Sequence, residues 1–295
     1  MKRILLFLAT NMAVLLLASI TLNILGVGSY LGSQGLNMGS LLAFCAVFGF
    51  AGSFVSLLLS KTMAKMGTGT KIIKTPQTNQ QRWLLETVKE LSGKAGIGLP
   101  EVGIFHSPEA NAFATGWNKN SALVAVSQGL LDKFSPNEAR AVIGHEIGHV
   151  ANGDMVTLSL IQGVVNTFVM FFARIIGYAV DSFLRRNDDS GGVGIGFYVT
   201  SFIAEIVLGF LASAIVMWFS RQREFRADEA GANLAGRQDM IAALERLRSE
   251  YEAPSAMPAT MTAFGIRSGA RSGLAALFTS HPPLEKRIEA LRAHR

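Results

Sequence analysis

From Ile4 to Ser60 the chain carries no charged side chain. A helix needs about 20 apolar residues to cross a bilayer core of roughly 30 Å, so this gap is long enough for two spans. They are expected near Ile4–Leu25 and Met38–Leu59, joined by a Gly- and Ser-rich connection from Gly26 to Asn37. The basic tip at Lys2 and Arg3 is shared with signal peptides. The apolar core is long, however, and no small-residue cleavage site precedes a soluble domain, so a retained anchor is expected. Lys61, Lys65, Lys71 and Lys74 follow the second span, and the loop between the spans is uncharged. Both ends of the hairpin should therefore face the cytoplasm.

Two further apolar stretches follow. Met155–Ala173 is uncharged and ends at Arg174; Gly191–Ser220 is apolar apart from Glu205. A polar loop from Asp181 to Gly192 separates them. One reading is a second transmembrane hairpin; the other is a pair of helices buried in protein or dipping partway into the bilayer. The spanning hairpin is the expected one; Arg174 and Glu205 keep the other open, because ionisable groups at membrane depth need partners. Arg185 and Arg186 in an outer loop would also oppose the positive-inside rule. Composition agrees with a membrane protein. Only 16% of the 295 residues are charged, against about 25% in soluble domains. The net charge of +6 reads as membrane orientation; without a basic run or an aromatic-interleaved basic patch, nucleic acid is not an expected partner. Cys45 is the sole cysteine, which excludes a disulfide framework and any multi-cysteine metal site. It is expected to be a small apolar residue within a span.

The charge-rich segments 61–154 and 221–295 together suffice for one core. The expected organisation is a transmembrane hairpin at 1–60, one cytosolic domain from 61–154 and 221–295, and a second hydrophobic hairpin at 155–220 inserted in it. Helical periodicity over Asn79–Ala95 places Trp83, Leu84, Val88 and Leu91 on one side. Val102–Phe105 and Ala122–Val126 suit buried strands, and Asn111–Gly116 suits an edge strand. Ser135, Pro136 and Glu138 start a helix with a capping box; it should run to about Ala151, with Asn152 and Gly153 ending it. Arg221–Tyr251 reads as helix with a break near Gly236. Pro282–His294 reads as a last helix with Leu284, Ile288 and Leu291 inward. The fold class is mainly α with a small β-sheet.

The capped helix contains His145-Glu146-Ile147-Gly148-His149. Positions i and i+4 share a helical face, so both imidazoles can reach one zinc ion, and Glu146 can act on a water there without being a ligand. Zinc lowers the pKa of water toward ~7, which a carboxylate can then deprotonate. This is equipment for peptide hydrolysis, although a buried hydrogen-bonded His–Glu–His network has the same pattern. A catalytic zinc needs a third protein ligand. Glu224 is the candidate, with Asp228 four residues on and able to orient a ligand histidine. The same charges could instead form a solvated face of i, i+4 ion pairs. A membrane metal carrier is the rival function, but it would need its metal-type residues along a transmembrane path.

These residues make the chain resemble the HtpX-type membrane zinc metalloproteases, related to the CAAX prenyl proteases. The resemblance covers nearly the whole chain. It includes Asn111–Gly116, His145–His149 followed by Asn152-Gly153-Asp154, Trp218–Arg221 with Glu224 and Asp228, and Ser280–Ile288. It implies a zincin-like metalloprotease domain combined with transmembrane helical hairpins. It further implies one Zn2+ per chain on His145, His149 and Glu224, Glu146 as general base, and Asp228 behind a ligand. His281 and Arg287 would support the developing oxyanion. Asn111, Ala112, Phe113 and Ala114 would form an edge strand that pairs with extended substrate. His106 and His294 read as non-ligands. The implied role is cleavage of damaged or misassembled membrane proteins and unfolded polypeptide at the bacterial inner membrane, with the active site facing the cytoplasm.

Overall fold

The computed structural model describes residues 37–185, 193–252 and 281–293. The expected span Ile4–Leu25, its connection as far as residue 36, residues 186–192 of the polar loop, residues 253–280 and His294 lie outside the described residues. In chain order the elements are α1 (Met38–Thr68), β1 (Lys71–Ile72), α2 (Asn79–Ala95), β2 (Glu101–Phe105), β3 (Ala112–Gly116), β4 (Ala122–Ser127), α3 (Gln128–Lys133), α4 (Pro136–Asn152), α5 (Asp154–Leu184), α6 (Ile195–Ala235), α7 (Arg237–Glu252) and α8 (Leu284–Ala293). The chain is mainly helical with one small four-stranded sheet, as its periodicities imply. Two compact units emerge: Met1–Phe54 with Leu160–Ala212, and Val55–Ser159 with Ser213–Arg295.

The first unit contains the larger parts of α1 and α5 and a part of α6, three helices long and apolar enough to cross a membrane. At 1.5 Å per residue, the 31 residues of α1 reach about 46 Å, beyond the bilayer core. Phe44 and Phe48 on α1, and Phe202 and Phe210 on α6, present large apolar surfaces outward, as a lipid-facing helix requires. The two ionisable groups in the apolar stretches find each other. Arg174 donates to Glu205 at 2.6 Å and to the Met170 carbonyl at 3.2 Å, and its guanidinium lies 5.8 Å from the Phe44 ring centre. Asp181 accepts from the Gly194 and Phe197 N–H groups, capping the start of α6 from the end of α5. Cys45 is buried.

Two membrane helices run longer than their apolar stretches. No Gly or Pro interrupts α1 between Leu59 and Met66, so it continues to Thr68. Arg221–Ala235 is likewise no separate helix but the continuation of α6, because nothing at Ser220 or Arg221 breaks the backbone. The expected break comes at Gly236 (φ +120°).

In the second unit the sheet order is β1-β2-β4-β3, with β2 and β4 parallel and both outer pairs antiparallel. β4 is buried along its whole length, and β3 is an edge strand registered on it from Ala112 opposite Val126 to Gly116 opposite Ala122. α4 packs on β3, β4, α2 and α7. Leu84, Val88, Val124, Val126, Ile143, Ile147, Leu244, Ile288 and Leu291 belong to this core. Trp83 and Leu284 stay half-buried at its margin. α4 starts as the sequence implies: Ser135 accepts from the Glu138 N–H, and Glu138 accepts from the Ser135 N–H. It ends at Gly153, whose φ of +67° is left-handed, a conformation glycine adopts without a Cβ penalty.

Candidate metal centre

Helix α4 places His145 and His149 one turn apart, with their ring centres 4.7 Å apart. The distal part of α6 lies across them at close range. A Cβ on Gly148 would sit 2.7 Å from the Ala230 Cβ and 3.2 Å from the Ala227 carbonyl oxygen, so only glycine permits the approach. Two carboxylates of α6, Glu224 and Asp228, are thereby brought beside the two rings. Both are buried, Glu224 completely.

The two ring nitrogens and the two oxygens of Glu224 form a compact donor cluster. Nε2 of His145 and Nε2 of His149 are 3.1 Å apart. His149 Nε2 is 3.3 Å from Glu224 Oε1, and His145 Nε2 is 3.6 Å from Glu224 Oε2. Zinc bonds of about 2.0–2.2 Å at tetrahedral angles separate neighbouring ligand atoms by about 3.3–3.6 Å. The donor set, two imidazoles and a carboxylate, is one that zinc takes in catalytic sites. Among the described residues Glu224 Oε1 is also buried without a hydrogen-bond partner, which a cation would satisfy. The residues present fit a divalent metal.

Behind the rings sit two more carboxylates. Asp228 Oδ1 is 2.9 Å from His145 Nδ1, and Asp154 Oδ2 is 2.7 Å from His149 Nδ1. Arg287 of α8 donates through Nε and Nη2 to both oxygens of Asp228, at 2.8 and 2.6 Å. Its Nη1 lies 3.5 Å from Glu224 Oε2. His281 places Nδ1 2.7 Å from Glu224 Oε2 and stands at the rim, its side chain 62% exposed. Burial opposes charge on the two rings, but their acidic partners outweigh it. Asp228 and Glu224 raise the pKa of His145; Asp154 and Glu224 raise that of His149 to about 9. Burial also opposes charge on Arg287, and Asp228 more than offsets it.

The structure thus brings together His145, His149, Glu224, Asp228, His281 and Arg287. Glu146 is half-buried on the same helix, and its charge acts on both His149 and Arg287. Asn111 immediately precedes β3, its carbonyl accepting from the Ser127 N–H; Ala112, Phe113 and Ala114 lie on that edge strand, which packs on α4. His106 is exposed just past β2. Arg287 differs from the sequence expectation of a donor to the oxyanion: it is nearly buried, and two of its three nitrogens are engaged by Asp228. Asp154 belongs to the Asn152-Gly153-Asp154 motif of the resemblance but had no role assigned to it. Its one signal was an acid directly after the Asn152-Gly153 helix stop, five residues past the second histidine.

The model of peptidase family M48 matches residues 78–295. Protease HtpX of Pseudomonas paraeruginosa is 68% identical over 293 residues, 99% of each chain. Protease HtpX of Pseudomonas syringae pv. tomato is 66% identical over 294 residues, again 99% of each. The crystal structure of S. mikatae Ste24p aligns with a TM-score of 0.61 at 20% identity, covering 94% of this chain and 67% of that one. At that identity the likeness concerns the fold.

Proposed function

This chain belongs to peptidase family M48 and is a membrane-bound metallopeptidase, and we propose that its metal is zinc and its substrates are damaged or misassembled membrane proteins. The observation that carries this reading is the convergence of His145, His149 and Glu224, whose ligand atoms all lie within 4.8 Å of one another, beside the carboxylate of Glu146. The alternation of uncharged hairpins with basic flanks supports an inner-membrane location with the site facing the cytoplasm. A site there meets the cytosolic loops and unfolded segments of its neighbours in the bilayer.

His145, His149 and Glu224 would hold the ion. When bound, zinc supplies Lewis acidity, polarising a carbonyl and acidifying water. Glu146 takes the proton from the attacking water and returns it to the leaving amine, as general base and then general acid. Asp228 accepts from His145 Nδ1 and so keeps its Nε2 lone pair for the metal. His281, at the exposed rim, supports the oxyanion that develops on the scissile carbonyl. Arg287 acts through Asp228, whose two oxygens it holds. The edge strand from Asn111 to Ala114 pairs with extended substrate by strand addition.

The test is cleavage of a membrane substrate by detergent-purified protein, with and without a chelator. Glu146→Gln should keep zinc, by elemental analysis, and lose cleavage, because only the base is removed. Glu224→Ala should be depleted of zinc. Cleavage by Glu146→Gln at the wild-type rate would refute the mechanism; full zinc occupancy with unchanged affinity in Glu224→Ala would reject the third ligand.

A further inference from the structure

We infer that Asp154 is a positioning residue of the metal centre: it holds the His149 ring by Nδ1–H so that Nε2 faces the ion. The inference rests on the reading of His145, His149 and Glu224 as ligands. A neutral imidazole carries one N–H, and the partner at one nitrogen decides which nitrogen keeps its lone pair. Asp154 Oδ2, 2.7 Å from Nδ1, is a carboxylate acceptor and places the hydrogen on Nδ1. The other nitrogen, Nε2, is the one directed at His145 Nε2 and Glu224. Asp154 is 1% exposed, so water does not compete for that acceptor. Its second oxygen faces Arg226 Nη2 at 3.4 Å.

The backbone explains how a residue five positions along can reach the ring. In one continuous helix, positions i and i+5 lie about 140° apart round the axis. Here α4 stops at Asn152, Gly153 turns left-handed, and α5 begins at Asp154. That one-residue break turns Asp154 back onto the outer nitrogen of His149. The arrangement repeats on the other ring, where Asp228 meets His145 Nδ1 at 2.9 Å and is in turn faced by Arg287. Each histidine is therefore backed by a buried carboxylate, and each carboxylate by an arginine.

Zinc affinity by chelator competition, melting of the metal-free protein and the visible spectrum of the cobalt-substituted protein test this in the full chain. Asp154→Asn keeps size and a neutral acceptor and should bind zinc about tenfold more weakly; Asp154→Ala should approach 100-fold, the range for such outer partners. The cobalt bands should shift in both, and Asp154→Glu should recover part of the affinity. A purely structural acid at a helix start would lower the melting temperature and leave affinity and spectrum unchanged in the folded protein. If Asp154→Ala does not fold, Asp154→Asn decides. His149→Ala, measured alongside, should lose the metal. Wild-type affinity and spectrum in Asp154→Asn beside a metal-free His149→Ala would overturn this inference alone. Tight zinc binding by His149→Ala would overturn the centre itself.

Discussion

Replacing Gly148 by Ala adds one methyl group, and its main expected effect is on metal binding. The new Cβ would stand 2.7 Å from the Ala230 Cβ and 3.2 Å from the Ala227 carbonyl oxygen. Carbon atoms pack at about 3.5–4.0 Å, so α4 and the distal part of α6 must part by about 1 Å. The two histidines belong to α4 and Glu224 to α6, so the displacement falls within the ligand set. Metal–ligand distances tolerate only about 0.2 Å of error. Overpacking costs about 1–3 kcal/mol, while exchanging Gly for Ala in a helix returns about 1 kcal/mol. The metal-free protein should therefore lose no more than about 2 kcal/mol of stability. Zinc affinity should fall at least about tenfold, or roughly 1.4 kcal/mol. Chelator competition measures the affinity, and thermal melting in detergent measures the stability. Gly93→Ala is the matched control, since a Cβ there meets nothing within 4 Å; it should leave affinity unchanged and stability equal or slightly higher. Wild-type affinity and melting in Gly148→Ala would refute the claim that this helix contact sets the ligand geometry.

Metal binding should also be proton-linked. The His149 pKa is raised from 6.5 to about 9 in the metal-free protein, because Asp154 and Glu224 outweigh the burial that opposes charge. The proton's stabilising contribution is fully present below about 6.5 and is lost as pH rises through about 9. An ion must displace that proton, so apparent zinc affinity should rise about tenfold per pH unit per displaced proton between pH 6.5 and 9; a flat profile would refute the linkage. In the membrane unit, Arg174→Leu or Glu205→Leu should each destabilise by about 2–3 kcal/mol, since each strands an ionisable group in an apolar helix. The double variant should be more stable than either single one, read by denaturant unfolding; a double variant that merely adds the two losses would refute the pairing.

What the sequence displayed most openly was local. The 3.6-residue period of Leu84, Val88 and Leu91, the Ser135–Glu138 box and the charge gap each depend on neighbours a few residues apart, and α2, α4 and the apolar helices follow from them. The i, i+4 pair of histidines is equally local. Glu224 was legible only as a candidate, because a carboxylate beside an arginine-rich helix end looks the same whether solvated or buried. Its burial depends on Gly148 admitting α6 within contact distance of α4, a relation between positions nearly eighty residues apart that no periodicity records. The ends of α1 and α6 lie beyond the apolar stretches for a simpler reason. Hydropathy marks where lipid stops solvating a helix, not where its hydrogen bonding stops, and no breaker sits at Leu59 or Ser220.

Arg287 shows how residue type alone leaves a role open. The resemblance implies that Arg287, with His281, supports a negatively charged transition state. Asp228, however, is buried and ionised, and a buried carboxylate without a cation is strongly destabilising. Among the described residues, Arg287 meets that requirement with two hydrogen bonds to its two oxygens, which leaves Nη1, 3.5 Å from Glu224. Any donation to substrate would have to come at the expense of one of these contacts. His281 carries no such obligation: one ring nitrogen meets Glu224, and its side chain is 62% exposed. The two cationic-type residues of this segment are adjacent in the site yet differ in what they can do, because one offsets the burial of Asp228 and the other does not.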